Sequence, residues 1–509
     1  MNALIKERQD NGTAILYSSQ SFTEYLQDQL PHFTNIPYRN KQNKLKEACK
    51  KMSLFQKMKS KLLPVAAVSV LTAGIFAGAE LQQTEKASAK KQNKDEIRNV
   101  IVMIGDGMGA SYINAYRSLK NNGETPNNPT LTEFDRNLTG MMMTHPDDPD
   151  YNITDSAAAG TALATGVKTY NNAIGVDKNG KKVKSILEEA KQQGKSTGLV
   201  ATSEINHATP AAYGAHNESR KNMNQIANSY MDDKIKGKQK IDVLLGGGKS
   251  YFTRKDRNLT KEFKQAGYSY VTTKQALKKN KDQQVLGLFA DGGLDKALDR
   301  DSKTPSLKDM TVSAIDRLNQ NKKGFFLMVE GSQIDWAAHD NDTVGAMSEV
   351  RDFEQAYKAA IEFAKKDKHT LVIAAADHTT GGFTIGANGE KNWHAEPILA
   401  AKKTPEFMAK KISEGKPVKD VLARYTDLDF TREEIKSVEA ASQADKSKGA
   451  YKAIIKIFNT RSNSGWTSTD HTGEEVPVYA YGPGKEKFSG LINNTDQAKI
   501  IFRILKTGK

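Results

Sequence analysis

The chain has 509 residues, of which 38% are hydrophobic and 27% charged, and its 75 Lys and Arg outnumber 60 Asp and Glu to give a formal net charge of +15. This length allows a large core, and the single cysteine, Cys49, excludes a disulfide within the chain and any thiolate metal site beyond that residue. Basic residues are spread along the chain, without the Arg-rich or aromatic-interleaved stretches of nucleic-acid grooves. We therefore expect no nucleic acid as a specific partner, whereas anionic substrates or an anionic cell envelope fit the charge.

The N-terminal part of the chain differs from the rest. Residues 1–51 are polar and show no clean periodicity. After Met52, three lysines precede an apolar run over 62–79, which is the pattern of a Sec-type signal peptide and is short for a membrane span. We predict an upstream extension over 1–51, disordered or not translated, then a signal peptide over 52–89, and a secreted or cell-surface protein. The alternative is an uncleaved anchor with a cytoplasmic tail.

The body of the chain, from about Ile97, alternates apolar runs with amphipathic stretches. The runs predict strands over 100–104, 196–202, 241–245, 324–329, 370–376 and 476–481. The amphipathic stretches predict helices over 184–193, 307–319, 344–365 and 495–505. Apolar strands separated by helices indicate an α/β fold with a mostly parallel central sheet and helices on both faces. We expect one catalytic domain over 90–509, with a Lys-rich, partly helical insertion over 388–465.

Polar side chains of metal-ligand type follow four of these strands. They are Asp106, then His207 and Thr209, then Glu330, then Asp377 and His378. Because ligands bind at the carboxyl ends of the strands in a doubly wound sheet, these groups would gather at one edge and form a metal site. Two further groups are ordinary when taken alone: Asp335 and His339 share a helix face at i, i+4 spacing, and His471 lies in a polar loop.

A helix start is predicted in the stretch Asp-Ser-Ala-Ala-Ala-Gly-Thr-Ala over 155–162. If Ser156 is its first residue, the hydroxyl lies near unpaired backbone N–H groups and the positive end of the helix dipole, a good place for an alkoxide and a phosphate. Alternatively, Ser156 or Thr154 is simply an N-cap. Arg220 similarly could clamp a phosphate or lie on a solvated helix face.

Seven short motifs occur in the order seen in alkaline phosphatases. They are Asp-Gly-Met-Gly at 106–109, Asp-Ser-Ala at 155–157, His-Ala-Thr-Pro at 207–210, Glu-Gly at 330–331, Asp335 with His339, Asp-His at 377–378, and His-Thr-Gly at 471–473. From about residue 97 to its end, the chain therefore resembles the alkaline phosphatase family. The resemblance implies a three-layer sandwich, hydrolysis of small phosphate monoesters through a phosphoserine, and a homodimer.

The resemblance also implies two zinc ions and one magnesium ion. It assigns Asp335, His339 and His471 to one zinc; Asp106, Asp377 and His378 to the second, joined by deprotonated Ser156; Asp106, Thr209 and Glu330 to magnesium; and Arg220 to phosphate. Asp155, beside the nucleophile, is a further candidate. Imidazole and carboxylate donors suit zinc, and an all-oxygen set suits magnesium.

Two positions depart from the family's best-known bacterial pattern. His207 stands where an aspartate often lies, so the identity and affinity of the third ion stay open. Trp336 stands where a lysine often lies, which removes an ammonium near phosphate. We predict faster phosphate release as a result, since a weaker grip on the product shortens its residence.

Other readings of the same residues are a sulfatase, a phosphodiesterase, a metal-dependent mutase or a non-catalytic zinc- or phosphate-binding protein. A sulfatase needs Cys or Ser in a C/S-x-P-x-R context, but Ser156 precedes Ala-Ala-Ala-Gly. Diesterases of the superfamily usually present a threonine nucleophile. A non-catalytic protein would keep the metal ligands without needing Ser156 or Arg220.

Overall fold

A computed structural model describes the backbone of residues 5–8 and 14–17, and residues 96–124 and 126–509. The chain divides into two units, 1–89 and 90–509. In the first unit, β1 (Ile5–Arg8) and β2 (Ala14–Tyr17) pair antiparallel. The rest of the predicted upstream extension, the predicted signal peptide and Cys49 lie outside the described residues. Within the described residues, no helix combines the length and apolar character needed to cross a membrane.

The second unit is built on one large sheet. Its strands, with the short ones that pair outside the main sheet, are β3 (Asn99–Gly105), β4 (Leu138–Met143), β5 (Ser196–Glu204), β6 (Lys234–Ile235), β7 (Lys238–Gln239), β8 (Val243–Gly247), β9 (Ser269–Val271), β10 (Val285–Leu288), β11 (Phe325–Gly331), β12 (Thr370–Ala375), β13 (Thr379–Thr380), β14 (Thr384–Ile385), β15 (Ser464–Gly465), β16 (His471–Thr472), β17 (Val476–Tyr481) and β18 (Gly490–Asn493). The main sheet has the order β18-β4-β17-β12-β3-β11-β5-β8-β10-β9. Of its strands, β17 alone runs antiparallel to both of its neighbours.

Helices and a short 3₁₀ turn at Lys485–Phe488 connect these strands. The helices are α1 (Ala110–Lys120), α2 (Glu133–Asn137), α3 (Ser156–Thr165), α4 (Ile186–Gln192), α5 (Ala208–Gly214), α6 (Met223–Asp232), α7 (Lys249–Phe252), α8 (Leu259–Gln265), α9 (Lys274–Lys279), α10 (Leu307–Leu318), α11 (Gln333–His339), α12 (Thr343–Asp367), α13 (Glu396–Leu399), α14 (Pro405–Ser413), α15 (Val418–Tyr425), α16 (Arg432–Ala444), α17 (Lys446–Ser462) and α18 (Asn494–Thr507).

Two groups of helices cover the sheet. In one group, α10 and α12 pack on each other and on β11. In the other, α4 and α5 pack on β5 and β11, while α3 lies between α5 and α18. The predicted α/β architecture, with a mostly parallel sheet and helices around it, is confirmed. Continuous burial of β3 and β11 explains why residues 100–104 and 325–329 form unbroken apolar runs.

Every predicted strand of the main sheet is present, with each end within two residues of the prediction. The prediction misses four strands of the sheet, β4, β9, β10 and β18. The first of them has mostly half-buried residues, and β10 carries Gly287 in its centre, so neither has the long apolar pattern of a buried strand.

The four strands that end in ligand-type residues are neighbours, in the order β12-β3-β11-β5, and they run parallel. The register places Glu330 beside both Ile104 and Ala201. Their carboxyl ends therefore lie at one edge of the sheet, where the predicted site residues converge.

Candidate functional site

Ser156 is the first residue of α3, as predicted, and its side chain does not cap the helix. The N-cap is Asp155, whose Oδ1 accepts a hydrogen bond from the Ala158 backbone N–H at 2.9 Å. Ser156 is 1% exposed, and its Oγ lies 3.2 Å from Nε2 of His378. The capping alternative for Ser156 and Thr154 is therefore wrong, and the Ser156 hydroxyl faces an imidazole at the positive end of a helix.

One group of metal-ligand side chains joins α11 to the short strand β16. Nε2 of His339 lies 3.2 Å from Oδ2 of Asp335, and Nε2 of His471 lies 3.3 Å from Nε2 of His339 and 3.7 Å from Oδ1 of Asp335. Nδ1 of His339 contacts the Thr469 carbonyl oxygen at 2.7 Å, and Nδ1 of His471 contacts that of Thr154 at 2.8 Å. These carbonyl oxygens favour a proton on Nδ1, which leaves each Nε2 free to bind a cation.

A second group lies deeper, at the ends of β3 and β12. Nε2 of His378 is 3.4 Å from Oδ1 of Asp106 and 3.4 Å from Oδ2 of Asp377, and all three side chains are fully buried. Donor atoms of Asp106, Asp335 and His378 lie within 4.8 Å of one another, so Asp335 is close to both groups. The rings of His378 and His471 stack with their centroids 3.6 Å apart. The two groups therefore form one continuous cluster.

A third set of oxygens adjoins the second group. Glu330 is the last residue but one of β11 and is fully buried, and its Oε1 has no hydrogen-bond partner among the described residues. Two further sites lack a hydrogen-bond partner within the described ranges. They are the buried Oγ1 of Thr209 in α5 and both buried carboxylate oxygens of Asp106. Burying a polar oxygen without a partner is costly, so these atoms fit a cation as the missing partner.

The charges of the cluster also point to a cation. Burial raises the pKa of Asp106 well above its usual range, and the charges of Asp377 and Asp335 add to this rise. Burial likewise raises the pKa of Asp377 to about 6 and that of Glu330 to about 7. A bound divalent cation would reverse these shifts and let the carboxylates ionise. Carboxylate, hydroxyl and imidazole donors in this arrangement fit such ions.

Arg220 lies in a turn, where it contacts Asp155, and not on a solvated helix face. Its Nη1 donates to Oδ2 of Asp155 at 3.0 Å, and its Nη2 lies 3.4 Å from Nε2 of His207. The Asn172 backbone N–H also donates to Oδ2 of Asp155, at 3.0 Å. Asp155 therefore both caps α3 and holds the guanidinium next to Ser156.

The two unusual residues, His207 and Trp336, contact each other. Their rings meet edge to face at 78°, with centroids 5.6 Å apart. Burial lowers the pKa of His207 to about 3, and the charge of Arg220 adds to this effect. The imidazole is therefore neutral and offers a nitrogen where the family pattern often has a carboxylate.

Three residues of the site were not singled out in the sequence. Oγ1 of Thr380 contacts Asp335 and lies 3.2 Å from Nδ1 of His378. Ser203 Oγ lies 3.5 Å from Oε2 of Glu330, and Asn171 Oδ1 accepts the Asp155 backbone N–H at 2.9 Å. Thr380 follows β12 and Ser203 lies near the end of β5, and predicted ligands come shortly after both strands, which is the signal that could have found them. Nothing in the sequence around Asn171 marks it.

Comparison with known proteins tests the resemblance directly. The family model described as alkaline phosphatase matches residues 97–507. The chain belongs to the alkaline phosphatase family. It is a phosphomonoesterase, and phosphate monoesters are its substrate class. The readings as a sulfatase, a diesterase, a mutase or a non-catalytic binding protein are set aside.

Relatives and solved structures within the alkaline phosphatase family match most of the chain. Alkaline phosphatase 4 of Bacillus subtilis is 94% identical over 460 residues, which cover 90% of this chain and 100% of that protein. The alkaline phosphatase of Escherichia coli is 33% identical, over 78% of this chain and 84% of that one. The crystal structure of a cold-active alkaline phosphatase from a Shewanella species is 39% identical, covers 80% of this chain and 99% of that chain, and superposes with a TM-score of 0.75.

Proposed function

We propose that this alkaline phosphatase hydrolyses phosphate monoesters through a phosphoserine on Ser156, at a site for two zinc ions and one magnesium ion. The observation that carries the proposal is the 3.2 Å approach of Ser156 Oγ to His378 inside a cluster of buried, partly unpartnered carboxylates. A hydroxyl so placed can act as a nucleophile once a cation lowers its pKa.

Three ligand sets divide the cluster. Asp335, His339 and His471 would hold one zinc, and Asp106, Asp377 and His378 the other. Asp106, Thr209 and Glu330 would hold magnesium, since their donors are all oxygens. The bound ions would supply Lewis-acid chemistry, which lowers the pKa of the serine hydroxyl and offsets negative charge on the phosphoryl group.

The chain's own residues would then carry the reaction. Ser156 releases its proton to solvent, and Oγ attacks phosphorus in line while the bond to the alcohol oxygen breaks and that oxygen takes up a proton from solvent. The backbone N–H groups at the start of α3 and the free N–H groups of Arg220 bind the phosphoryl oxygens. Water then attacks the phosphoserine from the opposite side, phosphate leaves, and Ser156 regains a proton. Two inversions give net retention at phosphorus.

Removal of metal tests the site as a whole. Dialysis against a chelator should lower turnover of p-nitrophenyl phosphate by about 100-fold or more, because the carboxylate cluster would lose the ions that activate Ser156. Zinc and magnesium together should restore more activity than either ion alone. A chelated protein that is metal-free by elemental analysis yet turns over normally would contradict the proposal.

His207 bears on the identity of the third ion. We propose that its neutral nitrogen weakens the magnesium site, because magnesium prefers oxygen donors. The structure of a variant alkaline phosphatase from the Antarctic bacterium TAB5, 29% identical with a TM-score of 0.57, supports this by analogy. In that variant a histidine is replaced by aspartate, and magnesium is bound in the site called M3.

Trp336→Lys should strengthen product inhibition. The indole packs against His207, whose Nε2 is 3.4 Å from the guanidinium of Arg220, so a lysine there would add an ammonium near bound phosphate. We expect an inhibition constant for phosphate about threefold to tenfold lower than in the wild type, with a lower kcat where release limits turnover. Trp336→Gln is the control without charge. Equal phosphate inhibition in wild type and Trp336→Lys would exclude this effect.

We further propose that the chain is exported through a signal peptide over 52–89 and that residues 1–51 lie upstream of the translation start. We also propose that residues 90–509 act as the catalytic domain, in which 388–465 form an insertion. The Bacillus subtilis relative supports an upstream extension, since its full length matches 90% of this chain. N-terminal sequencing of exported protein tests this, and a first residue before Met52 would oppose it. Homodimer formation and association with the cell envelope remain predictions.

A further inference from the structure

A basic groove lies at the end of the sheet opposite the candidate site. It passes the amino ends of three parallel strands, at Ser196, Asp242 and Gln284, and has a volume of about 1030 Å³. The candidate site lies at the carboxyl ends of the sheet. Since β5 has nine residues, about 25 Å separate its two ends. A ligand in the groove would therefore leave the candidate site free.

The groove has an excess of positive charge. Seven lysine and arginine side chains line it, against the carboxylates of Asp242 and Asp282. One lysine is neutralised, because both oxygens of Asp242 accept from Lys191 at 2.7 Å. Asp282 instead accepts from Ser269 and Asn280. Most of the cationic charge in the groove therefore has no carboxylate partner.

Two of these ammonium groups are held by backbone carbonyl oxygens. Lys195 Nζ donates to the carbonyl oxygens of Arg98 and Lys323, each at 2.7 Å, and Lys236 Nζ donates to that of Gln192 at 2.7 Å. A carbonyl oxygen orients an ammonium without cancelling its charge. Both groups are therefore positioned yet still able to attract an anion.

A lysine-rich hairpin forms one wall of the groove. β6 and β7 pair antiparallel through a tight turn in which Lys236 has φ +51° and Gly237 has φ +75°, the left-handed pair that a type I′ turn requires. Lys234, Lys236 and Lys238 are exposed, and none of them lies within 4.0 Å of a carboxylate in the described chain. Like charges on one short hairpin repel one another, so a bound polyanion would offset that repulsion.

The lining narrows the chemistry of the ligand. Among the described residues it contains no aromatic side chain on which a nucleic-acid base could stack. None of the large apolar side chains exposed on the described residues lies in the groove, so the groove offers no apolar anchor for a membrane. The flat surface of a bilayer also does not fit into a groove. Lysines act as flexible point charges, which suits repeated backbone charges better than one bidentate anion.

We propose that this groove binds a flexible linear polyanion with repeating phosphodiester groups and so holds the enzyme on an anionic polymer of the cell envelope. Internal phosphodiesters are not monoesters, so the polymer would be bound without being consumed. The proposal rests on the proposed export only in so far as export brings the enzyme to the envelope polymer. It does not depend on the proposed reaction mechanism.

Binding of labelled poly(glycerol phosphate) to the full chain tests the groove. A triple variant that combines Lys234→Gln, Lys236→Gln and Lys238→Gln should raise Kd at low salt by about tenfold or more. It should also flatten the slope of log K against log salt by about two to three units. Changing the same three residues to Arg should keep the affinity, which separates charge from folding. Turnover of a phosphate monoester should be unchanged in both triples, so this test succeeds or fails separately from the proposed mechanism.

The matched control removes the same charge elsewhere. The control is a triple variant that combines Lys410→Gln, Lys416→Gln and Lys419→Gln, which alters exposed lysines of α14, of α15 and of the turn between them. It should change Kd by less than about twofold. Equal losses in the two glutamine triples would overturn the proposal, as would a failure of the Arg triple to bind. Tighter binding of phosphatidylglycerol vesicles or oligo-dT, or competitive inhibition of monoester turnover by the polymer, would also overturn it.

Discussion

Ser156→Ala should lower turnover of a chromogenic phosphate monoester by about 10³-fold or more and abolish the phosphoprotein trapped by acid quench. Oγ of Ser156 is the hydroxyl that lies 3.2 Å from His378 in the buried cluster, and alanine offers no atom to accept the phosphoryl group. The helix should survive, because Asp155 provides the cap and alanine favours helix. Steady-state kinetics together with mass spectrometry of the quenched protein measure both effects.

Thr154→Val is the matched control for Ser156→Ala. It removes a buried hydroxyl two residues earlier, whose Oγ1 donates to the Asp155 carbonyl oxygen at 3.0 Å, and leaves Ser156 intact. We expect turnover within about fivefold of the wild type and a normal amount of phosphoserine. Near-normal turnover in Ser156→Ala, or phosphate recovered on another residue, would refute the covalent mechanism.

Asp335→Asn should remove about one or more equivalents of zinc and reduce turnover by about 100-fold or more. The Asp335 carboxylate lies 3.2 Å from His339 and 3.7 Å from His471, and it also belongs to the group with Asp106 and His378. A neutral amide of the same size keeps the packing but gives up the charge that would hold a cation between the two groups. Elemental analysis after gel filtration measures the metal content directly.

Asp316→Asn serves as the control for this substitution. Asp316 is an exposed carboxylate on α10, outside both groups of candidate ligands, so the metal content and turnover should equal those of the wild type. A full zinc complement with normal turnover in Asp335→Asn would show that this carboxylate holds no ion. Loss of turnover with full zinc would instead place Asp335 in the reaction without a role in binding metal.

Much of the architecture could be predicted from the sequence, because local physics determines it. Residues 100–104 of β3 and 325–329 of β11 are all apolar because both faces of these strands are buried, and that pattern is visible without a structure. The helix start at Ser156 could be predicted in the same way, from the run of small residues that follows it. The family could be recognised because its short motifs keep their order along the chain.

Tertiary structure decided which of these residues meet. Asp335 and His471 are 136 positions apart in the chain, yet their side chains lie 3.7 Å apart. Whether Arg220 faced solvent or the start of α3 depended on its contact with Asp155, which lies 65 positions earlier in the chain. Local sequence patterns report the burial and backbone preference of each segment. Contacts between distant segments depend on the order and register in which the strands pack, which no single segment encodes.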